Sequence, residues 1–116
     1  MVLERIESLH SIKKGYFVIF FLIAIDLVAK YLAEEYLSFG QAVPLIPILD
    51  LLLVFNSGIA FSILDFNNSF LSLSLSLIGL MIVAYLHSLY IKEESSINRF
   101  SLILIISGAL GNILDR

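Results

Sequence analysis

Two apolar runs, Tyr16 to about Leu37 and Phe70 to Ile91, restrict this chain more than anything else in it. Each is long enough to cross the hydrocarbon core of a bilayer as a helix, which takes ~20 residues. The second begins with Leu71-Ser72-Leu73-Ser74-Leu75-Ser76-Leu77, an alternation that reads locally as a strand. Length decides for a helix, because a lone strand in lipid leaves its backbone unpaired. Wound as a helix, Ser72, Ser76, Gly79 and Val83 share one face suited to close helix packing. A third apolar stretch, from Phe100 to Ile113, gives only roughly 21 Å of helix against a core of ~30 Å. With 59% hydrophobic and 15% charged residues over 116 positions, the chain is an all-α integral membrane protein of one domain.

The remaining segments divide as 1–15, 38–69 and 92–99. The first carries Arg5, Lys13 and Lys14 with Val2, Ile6 and Leu9 at helical spacing, a pattern for a short helix at a membrane surface. A basic start before an apolar run is also how a secretory signal begins. The run here is too long for one, contains Asp26 and Lys30, and lacks a small-x-small cleavage site, so it is read as a retained span over 16–37. In 38–69, Pro44, Pro47, Asp50, Asn56, Gly58, Asp65, Asn67 and Asn68 interrupt short β-favouring runs such as Leu51 to Phe55. That pattern predicts a loop with two or three short strands on the membrane surface. Spans two and three are then 70–91 and 100–116.

Basic residues cluster before span one and in the 92–99 link, and the 38–69 loop has none. The positive-inside rule places the N-terminus and the link in the cytoplasm and the loop outside. Several function classes drop out. No basic stripe suggests nucleic acid. With no cysteine there is no disulfide or thiolate chemistry, and His10 and His87 lie far apart without ligand spacing, so no metal site is expected.

Polar residues within spans are where function is sought first. Asp26 and Lys30, at i and i+4, share a helix face and can pair. Counted from the basic ends of their spans, Asp26 lies ~15 Å up, Lys30 ~21 Å and Asp115 ~23 Å. A polar cluster of Asp26, Lys30, Asn112, Asp115 and Arg116 between spans one and three is therefore expected, with a charge network that only sets helix register as the competing reading. Ser107, Gly108 and Gly111 are small enough to let another backbone approach. In the loop, Asn56 and Gly58 form a turn signal, and equally a place where a substrate backbone is hydrogen-bonded while Gly58 and Ala60 leave it room.

Three islands together resemble the lipoprotein signal peptidase (signal peptidase II) family. Asp26-Leu27-Val28-Ala29-Lys30 resembles the family's first-span Asp-x-x-x-Lys, without the usual Gln after the Asp or Ser/Thr before the Lys. Asn56-Ser57-Gly58-Ile59-Ala60-Phe61 is similar to Asn-x-Gly-Ala-Ala-Phe, with Ile59 in place of a small residue. Gly108-Ala109-Leu110-Gly111-Asn112-Ile113-Leu114-Asp115-Arg116 matches Gly-Ala-x-Gly-Asn-x-x-Asp-Arg at every fixed position.

The resemblance implies a membrane aspartic endopeptidase of the bacterial cytoplasmic membrane with four spans and an extracytoplasmic β-containing loop. Such an enzyme removes signal peptides from diacylglyceryl-modified prolipoproteins, using no metal or cofactor, and its partners are that lipid-modified signal helix and membrane lipid. Asp26, Lys30, Asn56, Gly58, Ala60, Gly108, Gly111, Asn112, Asp115 and Arg116 carry over as pocket-building or substrate-positioning residues. None carries over as catalytic. The family's aspartate pair belongs to a Val-Val-Asp-Phe segment and an Asn-x-Ala-Asp segment, both expected beyond Arg116. The chain is accordingly expected to be a C-terminally truncated member with no peptidase activity as given. A non-catalytic membrane binding module and a small transporter or channel subunit are the rival readings. Nothing in the sequence speaks to oligomeric state.

Overall fold

The computed structural model describes residues 1–55 and 69–116. Among them are three helices, α1 (Val2–Tyr36), α2 (Ser69–Tyr90) and α3 (Ser96–Asp115), and a two-stranded sheet of β1 (Ala42–Ile46) and β2 (Leu49–Leu52). All three helices are long and apolar enough to cross a membrane.

α1 runs unbroken through 35 residues, where a separate surface helix over 1–15 and a span over 16–37 are expected from the charge pattern. No proline interrupts it, and Gly15, the one weak helix former at the junction, is buried against a neighbour that fixes it. At 1.5 Å per residue such a helix is roughly 52 Å long, so its basic first turns project past the ~30 Å hydrocarbon core. α3 is also longer than its apolar stretch, because the polar turn Ser96–Arg99 is helical. The resulting ~30 Å is enough to cross the core.

α3 packs against both α1 and α2 and lies between them. The core is small: Ile19 from α1, Tyr90 from α2, and Ile103 and Ile106 from α3, with Leu22, Val83, Leu86 and Leu110 around it. Elsewhere the helices expose large apolar side chains such as Phe17 at 76%, Phe20 at 73% and Met81 at 72%. Exposure of that order on successive turns is what a lipid-facing surface requires. The face of α2 predicted for packing does so in part: Gly79 sits against Ile113, and Val83 packs on the core.

At the end of the bundle away from Lys13 and Lys14, β1 and β2 pair antiparallel with Ala42 opposite Leu52 and Val43 opposite Leu51. The ladder slips between Pro44 and Ile46, where proline has no N–H to give it. Gly40, at φ 71°, makes the turn into the hairpin, and its N–H donates to the Leu53 carbonyl at 3.0 Å. Phe39 and Phe55 stack with ring centroids 5.7 Å apart and close the base of the hairpin.

Candidate functional site

Helical spacing puts Asp26 and Lys30 on one face of α1, and the Lys30 ammonium donates to Asp26 Oδ2 at 2.7 Å. The same ammonium donates to Asn112 Oδ1 at 3.1 Å and forms an ion pair with Asp115 Oδ2 at 3.9 Å. Asn112 and Asp115, three residues apart on α3, lie on adjacent turns and converge on Lys30 from across the interface. Asp26 and Asn112 take two of the ammonium's three donors, and Asp115, at 3.9 Å, adds its charge without a hydrogen bond. The two carboxylates are thus arranged around a single cation, with Lys30 28%, Asp26 39% and Asp115 46% exposed at the side chain in the isolated chain.

Close approach of α1 to α3 at this level depends on Gly111. A Cβ there would overlap the Asp26 carboxylate, so only glycine admits Asp26 at its present position. Gly108 is different. It is exposed, and a Cβ would meet nothing within 4 Å among the described residues.

The cluster opens into a cavity of about 630 Å³ bounded by all three helices and the hairpin. Lys30, Asn112, Asp115 and Arg116 form its polar side, and the Leu52–Phe55 segment its apolar one. Ala33 and Glu34 of α1 and Ser72 of α2 complete it. Glu34 is missed by the sequence argument, although it follows Lys30 by four residues and so shares its face. Ser72 lies at the cavity and Ser76 turns back on its own helix, donating to the Ser72 carbonyl at 3.0 Å. Of the expected site residues, Asp26, Lys30, Gly111, Asn112, Asp115 and Arg116 come together here, while Asn56, Gly58 and Ala60 lie outside the described residues. Among the described residues no group of histidine and acidic side chains is placed to hold a metal ion.

An ammonium and an amide at the polar side can fix a peptide carbonyl, and the apolar side suits the flanking side chains or a lipid chain. Among the described residues, Asp26 and Asp115 do not face one another with a proton between them. Lys30 stands between Asp26 and Asp115, and a shared proton has no place in that geometry.

The family described as Signal peptidase (SPase) II matches residues 18–116. The lipoprotein signal peptidase of Francisella tularensis subsp. novicida is 43% identical over 108 residues, covering 90% of this chain and 67% of that protein. That of Thermodesulfovibrio yellowstonii is 41% identical over 98 residues, or 84% of this chain and 63% of the relative. That of Bartonella tribocorum is 39% identical over 94 residues, or 79% and 54%. No solved structure matches the chain. The chain therefore belongs to the signal peptidase II family of membrane proteases, the lipoprotein signal peptidases.

Proposed function

We propose that residues 1–116 form the substrate-holding part of a lipoprotein signal peptidase site, which receives the signal helix of a diacylglyceryl-modified prolipoprotein from the outer leaflet. The observation that carries this reading is the Lys30 cluster at the edge of a cavity with one polar and one apolar side. An extended peptide near a cleavage site needs both: hydrogen-bonding partners for its backbone, and apolar surface for its side chains and acyl groups.

The orientation follows from Lys13, Lys14, Lys92 and Arg99, which keep their end of the bundle cytoplasmic and the hairpin outside. Lys30 and Asn112 orient the peptide, and Asp26 and Asp115 hold Lys30 in place. Catalysis in this family calls for two carboxylates that share a proton, one activating water and the other polarising the scissile carbonyl. Asp26 and Asp115, both committed to Lys30, do not serve as that pair. Residues 1–116 therefore bind substrate without turning it over.

The test is to place the purified chain in nanodiscs with a fluorescent, lipidated prolipoprotein peptide and follow both anisotropy and cleavage. Binding without product is expected. Cleavage that disappears on Asp115→Asn contradicts the assignment of Asp115 as an anchor.

A further inference from the structure

The end of the bundle opposite the cavity carries a second polar groove, between α1 and α3. Ser11 and Lys14 line it from α1, and Ser96 and Arg99 from α3, around a volume of about 190 Å³. Val18 and Ile103 continue it toward the membrane interior as an apolar wall. Its lining holds two cations and no carboxylate. On the connecting segment, the Glu93 carboxylate accepts from the Ser95 N–H at 2.9 Å, and Glu7 of α1 lines a separate pocket beside Ser11 and Lys14.

Arg99 is fixed in this groove. One terminal nitrogen donates to Ser11 Oγ at 2.8 Å and the other to the Glu93 carbonyl. Its Nε is enclosed and has no hydrogen-bond partner among the described residues. That enclosed N–H is out of reach of a ligand in the groove, so what Arg99 offers there is its fixed positive charge. Lys14 makes no ion pair with a described residue, so its ammonium is available at the mouth. The Ser96 hydroxyl lies in the first turn of α3, where Ser95 makes no side-chain capping bond, and that helix end adds a modest preference for negative charge.

We propose that this groove binds the phosphate of an anionic phospholipid from the leaflet at the Lys13–Lys14 end. Two cations and two hydroxyls meet the phosphate oxygens, and the first carbons of an acyl chain run down Val18 and Ile103. The level fits, since Lys14 stands where α1 passes from its basic turns into its apolar span. Basic grooves between spans at the cytoplasmic surface are suited to anionic headgroups, with each cation that lines the groove contributing about fivefold in affinity.

The experiment is native mass spectrometry of the detergent-solubilised chain with phosphatidylglycerol, phosphatidylcholine or inorganic phosphate. Phosphatidylglycerol is expected to be retained several-fold better than phosphatidylcholine. Lys14→Gln lowers that retention about fivefold, and Lys13→Gln, about 100° around the helix, leaves it unchanged. Arg99→Gln also removes two bonds between elements and is read only if the variant folds; Lys14→Gln removes none of the bonds described above. Equal retention of phosphatidylglycerol by wild type and Lys14→Gln overturns the proposal. So does equal retention of the two lipids. Displacement of phosphatidylglycerol by millimolar inorganic phosphate assigns the groove to a free anion and overturns the lipid as its occupant.

Discussion

At the scale of single residues, the site depends on one ammonium and one missing Cβ. Lys30 joins Asp26 on its own helix to Asn112 and Asp115 on α3, so Lys30→Met leaves two carboxylates and an amide without their common partner. The loss is expected to be about 1–3 kcal/mol in a thermal or denaturant melt in detergent. Gly111→Ala drives a methyl group into the Asp26 carboxylate, and a destabilisation of about 1–3 kcal/mol is predicted, with weaker peptide binding. Gly108→Ala is the control: with open space around it and a helical backbone, the same change should be neutral or stabilising by up to ~1 kcal/mol. Asp26, Lys30, Asn112 and Asp115 were legible in the sequence because span topology and 1.5 Å per residue give their depth. The difference between Gly108 and Gly111 was not. It depends on which face of α3 meets α1, and a stripe of small residues carries no such information.

At the scale of elements, the apolar runs locate all three helices but not their ends. A run reports what lipid tolerates, whereas a helix continues until its backbone finds another partner, so α1 keeps its polar first turns and α3 begins before its apolar stretch. The contact that ties α1 to α2 was invisible for another reason. Tyr90 donates to the Ile12 carbonyl at 2.8 Å, and Tyr16 is hydrogen-bonded to His87 at 2.7 Å, pairings across more than seventy residues that follow no local period. Gly15 makes room for the Tyr90 hydroxyl, and a Cβ there would overlap it. Gly15→Ala should therefore destabilise by about 1–3 kcal/mol. In the Tyr90→Phe background the closest overlap, with the hydroxyl, is gone and part of that penalty should vanish, while the ring carbon Cζ, 2.8 Å from the added Cβ, keeps the rest. A double-mutant cycle with no coupling between the two positions contradicts this packing.

At the scale of the whole molecule, three lipid-facing helices around a small core hold a cavity at one end and a basic groove at the other. The proposed orientation predicts that Ile48→Cys at the hairpin tip is labelled by an impermeant maleimide in intact cells, and Ser95→Cys only after permeabilisation; the chain has no cysteine of its own to interfere. The central claim, that the Lys30 cavity receives the signal peptide, is tested most directly by photocrosslinking. A photoreactive residue replaces Glu34 or Ser72 at the cavity, or Val28 on an apolar face of α1 away from it, and a lipidated prolipoprotein peptide is added to the chain in nanodiscs. Adducts at Glu34 and Ser72, with little at Val28, are predicted. Adducts at Val28 equal to or greater than those at the two cavity positions contradict the account.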